Sequence, residues 1–322
     1  MTRRGDESGV VGALLDWARL VRLPNHATAV ADAAAGFLVV ARPAELSAPP
    51  GLVWGALAGW AFYAAGMVLN DVFDVALDRV ERPERPLPSG RIGVRAAAIV
   101  GQGLLALGGV AACATAFLSG HAAPALVGAL LTAAIWTYDR HAKGTPAGPA
   151  VMGACRGLNW LLGMTAAGGP ALPPQWLMPL GISVYVAGIT LYARDEAATS
   201  RRVSLARGVI LMVTGLALAG LGTALVARIE GGIAWGGAVP GGRLGTWALL
   251  WTLVSASVVV RALVGVFEPT PGRVRSAVGN AIMALVTLDA VLVLAVCGER
   301  WALVILVLLV PFVALRRIVP PT

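Results

Sequence analysis

The chain of 322 residues is 57% hydrophobic and only 13% charged, and its mean hydropathy is +0.77. Soluble globular domains carry about 25% charged residues, so this composition excludes a soluble protein and indicates one that crosses the membrane many times. The net charge of +8 comes from arginines at the ends of predicted helices, which favours the lipid bilayer as their partner and argues against nucleic acid.

The predicted elements begin with a surface helix and continue as apolar spans. Residues 1–23 have no uninterrupted apolar core, so we expect a cytoplasmic segment with an amphipathic helix over 10–23 and no signal peptide. A span needs about 20 mostly apolar residues. Such spans are predicted near 24–41, 52–72, 94–118, 122–138, 147–167, 174–193, 205–228, 244–266, 277–297 and 301–317. Only three residues separate the last two spans, so an all-α membrane bundle of nine or ten transmembrane helices over 24–322 is expected.

The distribution of positive charge orients these spans. With the N-terminus in the cytoplasm, inside segments hold twenty Arg and Lys residues and outside loops hold four. Positive residues favour the cytoplasmic side, so the loops after the second, fourth and sixth spans are predicted to face the cytoplasm. The arginine-rich composition, in which Lys143 is the single lysine, favours a bacterial plasma membrane.

The second span ends in an acidic run, NDVFDVALD over 70–78, which is followed by RPLPSG over 85–90. Asp71, Asp74 and Asp78 fall within about 60° of one another on one helix face. Like charges at this spacing repel, so the face needs a cation. Mg²⁺ takes one or two carboxylates together with water and substrate phosphate. The run therefore predicts a magnesium–diphosphate site at the membrane surface, and a solvated charged loop is the alternative.

The pattern N-D-x-x-D-x-x-x-D followed by R-P-L-P-S-G resembles the first aspartate-rich motif of the UbiA-type intramembrane prenyltransferase superfamily. This resemblance implies a UbiA-like helical bundle that transfers prenyl groups from prenyl diphosphates with Mg²⁺ as cofactor. It also implies that Asp71, Asp74 and Asp78 are catalytic residues that bind the metal, and that Asn70 and Arg85 contact the substrate.

The family's second acidic motif is expected at the cytoplasmic end of the sixth span. The candidates there are Tyr192, Arg194, Asp195 and Glu196, but the family's D-x-x-x-D is broken because Thr199 stands four residues after Asp195. We expect Asp195 or Glu196 to bind a second metal while the other pairs with an arginine, and Tyr192 and Arg194 to contact the substrate. A helix end rich in salt bridges is the alternative.

The loop after the fourth span also resembles the family. Tyr138 and Lys143 match a Tyr-x-x-x-x-Lys pattern, in which the lysine helps to hold the diphosphate. Arg140 offers the same positive charge. Simple anchoring by positive residues on the inside is the alternative for both.

Polar residues inside the spans complete the predicted pocket. Arg22 and Asn25 stand at the cytoplasmic entrance of the first span, where diphosphate would lie. Arg156 and Asn159 share one face of the fifth span, and an arginine within a span usually faces a polar cavity. Asp32 either acts on an acceptor or pairs with Arg156, and we favour the pairing. A further buried acid, Asp289, is not assigned.

The sequence thus predicts a membrane prenyltransferase that moves a prenyl group from a prenyl diphosphate to an unidentified small or lipid-soluble acceptor. One alternative on the same scaffold is a UbiA-type terpene cyclase, in which the prenyl chain's own double bonds capture the cation. A transporter with intramembrane acids is a further alternative. The clustering of the acids at one membrane face argues against a transporter.

Overall fold

The computed structural model of the chain describes residues 3–43, 46, 48–195, 202–231 and 243–319. These residues form helices joined by short connections and contain no strands, which confirms the all-α prediction. The helices are α1 (Arg3–Leu20), α2 (His26–Ala41), α3 (Pro50–Glu81), α4 (Val94–Ser119), α5 (Ala123–Thr137), α6 (Gly148–Ala166), α7 (Leu177–Tyr192), α8 (Arg202–Gly231), α9 (Arg243–Phe267), α10 (Pro271–Cys297), α11 (Glu299–Val307) and α12 (Leu309–Ile318). Among the described residues, seven helical segments are long and apolar enough to cross a membrane.

Helix α3 is longer than the span predicted over 52–72. It continues from Pro50 to Glu81, so the acidic run lies on regular helix that extends beyond the apolar segment. A proline at the first helical position favours the start because it has no N–H to leave unpaired. The helix ends before Arg82 because Pro83 follows, and a residue before proline avoids the helical conformation.

The last predicted span, over 301–317, is divided in the structure. Helix α11 ends at Val307 and α12 begins at Leu309. Pro311 explains the break, because a proline ring clashes with the carbonyl group four residues earlier, which here belongs to Val307.

The bundle places α2 against α3, α6 and α10, while neighbours in sequence pack side by side from α3 to α10. Gly36 on α2 and Gly163 on α6 allow the close contact of these two helices. A Cβ atom on Gly36 would clash with the carbonyl oxygen of Trp160, and one on Gly163 would clash with that of Ala33. Small residues let helices approach closely in lipid, and this approach brings the polar residues of α2 and α6 together.

The outward faces of several helices expose large apolar side chains. Examples are Val110 and Phe117 on α4, Leu249 and Leu253 on α9, and Leu303 on α11. An apolar surface this wide is suited to lipid and not to water. The chain is an integral membrane protein that crosses the bilayer several times.

Helix α1 lies across the end of the bundle that carries the acidic run. Leu20 is buried in a cluster with Val68 of α3 and with Leu87 and Ile92 of the following loop, and Trp17 packs against the cluster. A helix is therefore present near the one predicted over 10–23, but it begins at Arg3 and ends at Leu20, and Val11 and Leu14 on it are exposed. Its last turn packs on the 82–93 connection.

Candidate active site

Helix α3 presents the acidic run at the end of the bundle beside α1. Asn70, Asp71 and Asp78 are buried, and Asp74 is partly exposed at the wall of a cavity. In isolation, three carboxylates on one helix face would repel one another. In the folded chain each of them has a cationic partner from another part of the sequence.

Two arginines hold Asp71 and Asp78. Nη1 of Arg85 lies 2.9 Å from Oδ2 of Asp78 and 3.7 Å from Oδ1 of Asp71. Nη2 of Arg22 lies 3.5 Å from the same Oδ1 of Asp71. Arg22 has φ 52° and ψ 49°, a left-handed conformation that costs a residue other than glycine about 1–2 kcal/mol. Strain of this kind concentrates at functional sites.

The lysine of the loop after α5 reaches the same acidic face. Residues 138–142 form one π-helical turn, a feature that often marks functional sites. Beyond this turn, Nζ of Lys143 donates to Oδ1 of Asn70 at 2.9 Å and contacts Asp74. Arg140, the other candidate cation, is exposed and does not line the cavity. Of the two alternatives, the structure therefore brings Lys143 to the site.

Asp139 adds a buried carboxyl beside this lysine. Its Oδ1 accepts a hydrogen bond from Nδ2 of Asn70 at 3.2 Å. Burial, together with the nearby charges of Asp74 and Asp71, raises the pKa of Asp139 to about 7, against the opposing effects of the Asn70 hydrogen bond and of Lys143. The amide of Asn70 is thus fixed between Asp139 and Lys143.

A cavity of about 780 Å³ opens beside these groups and runs into the bundle. It follows α3 from Leu77 to Gly59, and eighteen residues of helix span about 27 Å. Its outer part is polar, with Arg22, Asn25, Asn70, Asp74, Lys143 and Arg194 in its wall. Its inner part is largely apolar, with Phe62, Leu131, Ile135, Ile189, Ile282 and Leu285 in its wall. A polar head and a long apolar tail would both fit this shape.

A second polar cluster is buried on one side of the inner cavity. Nε of Arg156 lies 2.8 Å from Oδ2 of Asp32, a carboxylate that is fully buried. Asn159 donates to the carbonyl oxygen of Ala29 at 2.8 Å. The pairing favoured for Asp32 from the sequence is therefore present.

Asp289 of α10 belongs to the same cluster, although sequence reasoning gave it no role. Nε1 of Trp160 donates to Oδ1 of Asp289 at 3.2 Å, and Asp289 lies beside Asp32. An ionisable residue within a span is costly, so Asp289 could be expected to have a polar partner. The sequence does not identify that partner.

The remaining predicted site residues divide into three groups. Asn25, Tyr138 and Arg194 line the cavity, and a terminal nitrogen of Arg194 contacts the carbonyl oxygen of Gly144. Tyr192 is buried elsewhere, because its hydroxyl donates to the carbonyl oxygen of Ala262 on α9 at 2.8 Å. The backbone of Asp195 lies in a short 3₁₀ turn after α7, whereas Glu196 lies outside the described residues.

The acidic face can supply some of the ligands of a Mg²⁺ ion, and water and substrate phosphate can supply the others. Within the described residues, no three His, Cys, Asp or Glu side chains are grouped closely enough to hold a metal by themselves. Mg²⁺ does not need such a group, because it takes one or two carboxylates and completes its shell with water and substrate phosphate. Asp74 in the cavity wall and Asp71 one turn earlier are oxygen ligands of the required kind.

The class of protein follows from comparison with known sequences. The model of the UbiA prenyltransferase family matches residues 29–288. The match includes the acidic run, the π-helical turn and both residues of the Arg156–Asp32 pair. The chain belongs to the UbiA prenyltransferase family.

Curated relatives share part of the chain. Digeranylgeranylglyceryl phosphate synthase of Halobacterium salinarum is 31% identical over 160 residues, which are 48% of this chain and 50% of the relative. The enzyme of the same name from Methanothrix thermoacetophila is 35% identical over 150 residues, 46% of this chain and 53% of the relative. The chain spans about half the length of these curated relatives.

Solved structures share the fold. One that is described as digeranylgeranylglyceryl phosphate synthase has a TM-score of 0.62 at 19% identity and covers 89% of this chain and 100% of its own. A UbiA homologue from Archaeoglobus fulgidus, bound to GPP and Mg²⁺, has a TM-score of 0.56 at 14% identity, with coverages of 91% and 99%. The UbiA-like bundle predicted from the sequence is confirmed.

Proposed function

We propose that this chain is a Mg²⁺-dependent prenyltransferase that moves a prenyl group from a prenyl diphosphate to a small or lipid-soluble acceptor. The observation that carries the proposal is the acidic and basic lining at one end of a long cavity whose inner wall is largely apolar. The names of the relatives support this activity, as does the GPP and Mg²⁺ bound by the Archaeoglobus fulgidus homologue.

The acidic residues would hold the metal and the basic residues the diphosphate. We assign Asp71, Asp74 and Asp78 to the first metal site, and Asp195 or Glu196 to a second. The diphosphate contacts would come from Arg22, Asn25, Asn70, Arg85, Lys143 and Arg194. Bound Mg²⁺ would neutralise negative charge on the diphosphate oxygens. Because donors fixed in advance stabilise charge that develops in the transition state, Lys143 and Arg22 would contribute most as the leaving group departs.

The reaction breaks the bond between C1 of the prenyl group and the diphosphate oxygen, which keeps the electron pair. The acceptor atom then bonds to C1 and releases its proton to water or to the diphosphate. The apolar walls hold the tail and exclude water from the allylic cation. Tyr138 in the cavity wall offers a ring face that stabilises positive charge.

We further propose that this site faces the cytoplasm of a bacterial cell, as the arginine distribution indicates. Single cysteines would be introduced at exposed loop positions in a variant that lacks the native three. An impermeant thiol reagent added to intact cells should leave positions 84 and 144 unlabelled and should label position 241. Labelling of position 84 without position 144 would separate the two halves of the proposed site.

Purified protein, Mg²⁺ and geranyl or geranylgeranyl diphosphate, with and without added acceptors, provide the test of activity. Products would be identified by mass spectrometry, and diphosphate release would be measured in parallel. Transfer that requires Mg²⁺ and an acceptor supports the proposal. Cyclic hydrocarbons formed without an acceptor would indicate the terpene cyclase instead. Turnover in excess chelator would contradict the metal assignment.

A further inference from the structure

One buried acid at the polar mouth of the cavity has no task in the proposed reaction. Asp139 lines the cavity and is 8% exposed. Its Oδ1 accepts a hydrogen bond from Nδ2 of Asn70 at 3.2 Å, whereas its Oδ2 is buried and has no hydrogen-bond partner among the described residues. Burial of a carboxyl group with so few partners is costly, so the position of Asp139 calls for an explanation beyond packing.

The backbone brings Asp139 and Lys143 to the same side chain. The N–H of Lys143 donates to the carbonyl oxygen of Tyr138 at 2.9 Å, which closes the π-helical turn over 138–142. Asp139 lies at the start of this turn, and Lys143 comes directly after it. Asn70 of α3 contacts both residues, because it donates to Asp139 and accepts from Nζ of Lys143 at 2.9 Å. One amide group thus joins the turn to α3.

This amide is fixed in one orientation. A carboxylate accepts hydrogen bonds and does not donate, and an ammonium group donates and does not accept. The NH₂ group of Asn70 must therefore face Asp139, and its carbonyl oxygen must face Lys143. The second N–H of the NH₂ group is left for a phosphate oxygen. Without Asp139, the amide could turn its NH₂ group towards Lys143 and lose the contact.

Lys143 has two contacts at the mouth, and substrate binding affects them differently. Its Nζ contacts Asp74 as well as Asn70. Asp74 is also proposed to bind Mg²⁺, and a cation on its oxygens would repel the ammonium group. Asn70 is neutral and can keep its contact. The carbonyl oxygen of Asn70 is therefore the group that can hold Lys143 while the donor is bound.

We infer that Asp139 is a positioning residue for the reaction. It orients the amide of Asn70, and the amide holds the ammonium group of Lys143 towards the donor's diphosphate. This role rests on the proposed function, since it requires a diphosphate at the mouth. A carboxyl group that only stabilised the π-helical turn would contribute to the stability of the bundle but would not act through Lys143.

Binding of a prenyl thiodiphosphate with Mg²⁺, measured on the full-length protein in detergent, tests whether Asp139 acts through Lys143. Asp139→Leu should raise the Kd about 10-fold, because a charged hydrogen bond to the diphosphate is weakened. Asp139→Asn should raise it less than about threefold, since its amide oxygen can still accept from Asn70. In a Lys143→Met background, Asp139→Leu should have no further effect, because the effects of two residues that act through one contact do not add.

Thr145→Val is the control for disturbance of the same connection. The hydroxyl of Thr145 donates to the carbonyl oxygen of Ala142 at 2.7 Å, so its hydrogen bond stays within the connection. This variant should keep the Kd within about twofold of the wild type, because it shares no partner with Asp139. If the Asp139→Leu protein does not fold, Asp139→Ser, which is too short to reach Asn70, replaces it in each measurement.

A second measurement observes the lysine itself and needs no substrate. Lys143 is the single lysine of the chain, so protein grown with lysine labelled with ¹³C at Cε gives one NMR signal. The width of this signal reports whether the side chain is held or mobile. In Asp74→Ala, Asn70 still holds the lysine and the signal should stay broad. In Asp74→Ala with Asp139→Leu, the amide can turn and the signal should narrow. Equal widths in the two proteins would overturn the role of Asp139.

The outcomes separate this role from the proposed function. Binding of the thiodiphosphate that Asp139→Leu leaves unchanged, or weakens equally with and without Lys143, would overturn the positioning role and leave the prenyltransferase intact. Absence of Mg²⁺-dependent binding by the wild type, together with absence of transfer to any acceptor, would overturn both.

Discussion

Acidic residues occur in two regions of this bundle, and their surroundings make them suited to different tasks. At the mouth, Asp71, Asp74 and Asp78 pair with arginines and a lysine contributed by the connections before α2, after α3 and after α5. In the interior, Asp32 of α2 pairs with Arg156 of α6, and Asp289 of α10 lies beside them. Both regions pair acids with basic residues, but only the first contains partners that are exposed enough to be exchanged, namely Lys143 and Arg22.

The difference lies in the burial of these partner side chains. Lys143 is 35% exposed and Arg22 is 38% exposed, so water or a substrate can replace their contacts with the acids at small cost. Asp32 is 0% exposed and has no such replacement. We therefore expect substitutions at the mouth to reduce activity and substitutions in the interior to reduce stability.

The largest expected effect is on activity, from loss of an acid at the mouth. Asp71→Ala and Asp74→Ala should each lower kcat/KM about 1,000-fold, because the metal would lose one of its few protein ligands. Their unfolding temperatures in detergent should stay close to that of the wild type. Glu81→Gln, which removes an exposed acid from the end of the same helix, is the control and should retain full activity. An active Asp71→Ala protein would remove the basis for the first metal site.

The next effect is on stability, from loss of the buried acid. Asp32→Ala should lower the free energy of unfolding by about 3–5 kcal/mol, because it leaves the charge of Arg156 buried without compensation. Asp32→Asn should cost less, since the amide keeps the shape and some hydrogen bonds. Thermal unfolding in detergent measures both. If the Asp32→Ala protein unfolds at the wild-type temperature, the interior cluster does not stabilise the bundle.

Sequence reasoning located the mouth well because its residues form a local pattern. The face shared by Asp71, Asp74 and Asp78 follows from helix periodicity, and Lys143 was one of two cations proposed for it. The ion pairs that these residues form could not be predicted from the sequence. That Arg85 contacts both Asp71 and Asp78 depends on how the 82–93 connection folds beneath α1.

Only part of the interior cluster could be predicted from the sequence. The Arg156–Asp32 pair was favoured because each is a costly charge in a span and each needs a partner. Asp289 is more than a hundred residues away from both, and no spacing rule connects it to them. Tyr192 shows the opposite error, because an aromatic residue at a helix end was expected in the pocket but packs against α9. Both cases depend on helix packing and rotation, which composition does not determine.

A third prediction tests whether the cations at the mouth exchange partners. Lys143→Met should raise the KM for the prenyl diphosphate about 10- to 30-fold, because a charged hydrogen bond to the diphosphate is lost. Lys143→Arg should have a smaller effect. Arg140→Met is the matched control, since this residue lies on the π-helical turn just before Lys143 but is exposed and outside the cavity. Equal effects from Lys143→Met and Arg140→Met would mean that the loop acts only through its net charge.

The smallest effect is expected where α1 meets the loop that carries Arg85. Oδ2 of Asp16 accepts from Nε of Arg91 at 2.8 Å, and its Oδ1 accepts from Arg19 at 3.1 Å. Arg91 is 44% exposed and Arg19 is 31% exposed, so Asp16→Ala should cost under about 1 kcal/mol of stability. Activity should fall about threefold, because a looser connection holds Arg85 less firmly against Asp71 and Asp78.

Two controls test the pair itself. High salt, which screens exposed pairs, should lower the stability and activity of the wild type towards those of the variant. Exchange of the charges, Asp16→Arg with Arg91→Asp, should restore most of the loss if the pair itself is responsible. A thousandfold loss in Asp16→Ala would instead make α1 part of the catalytic site.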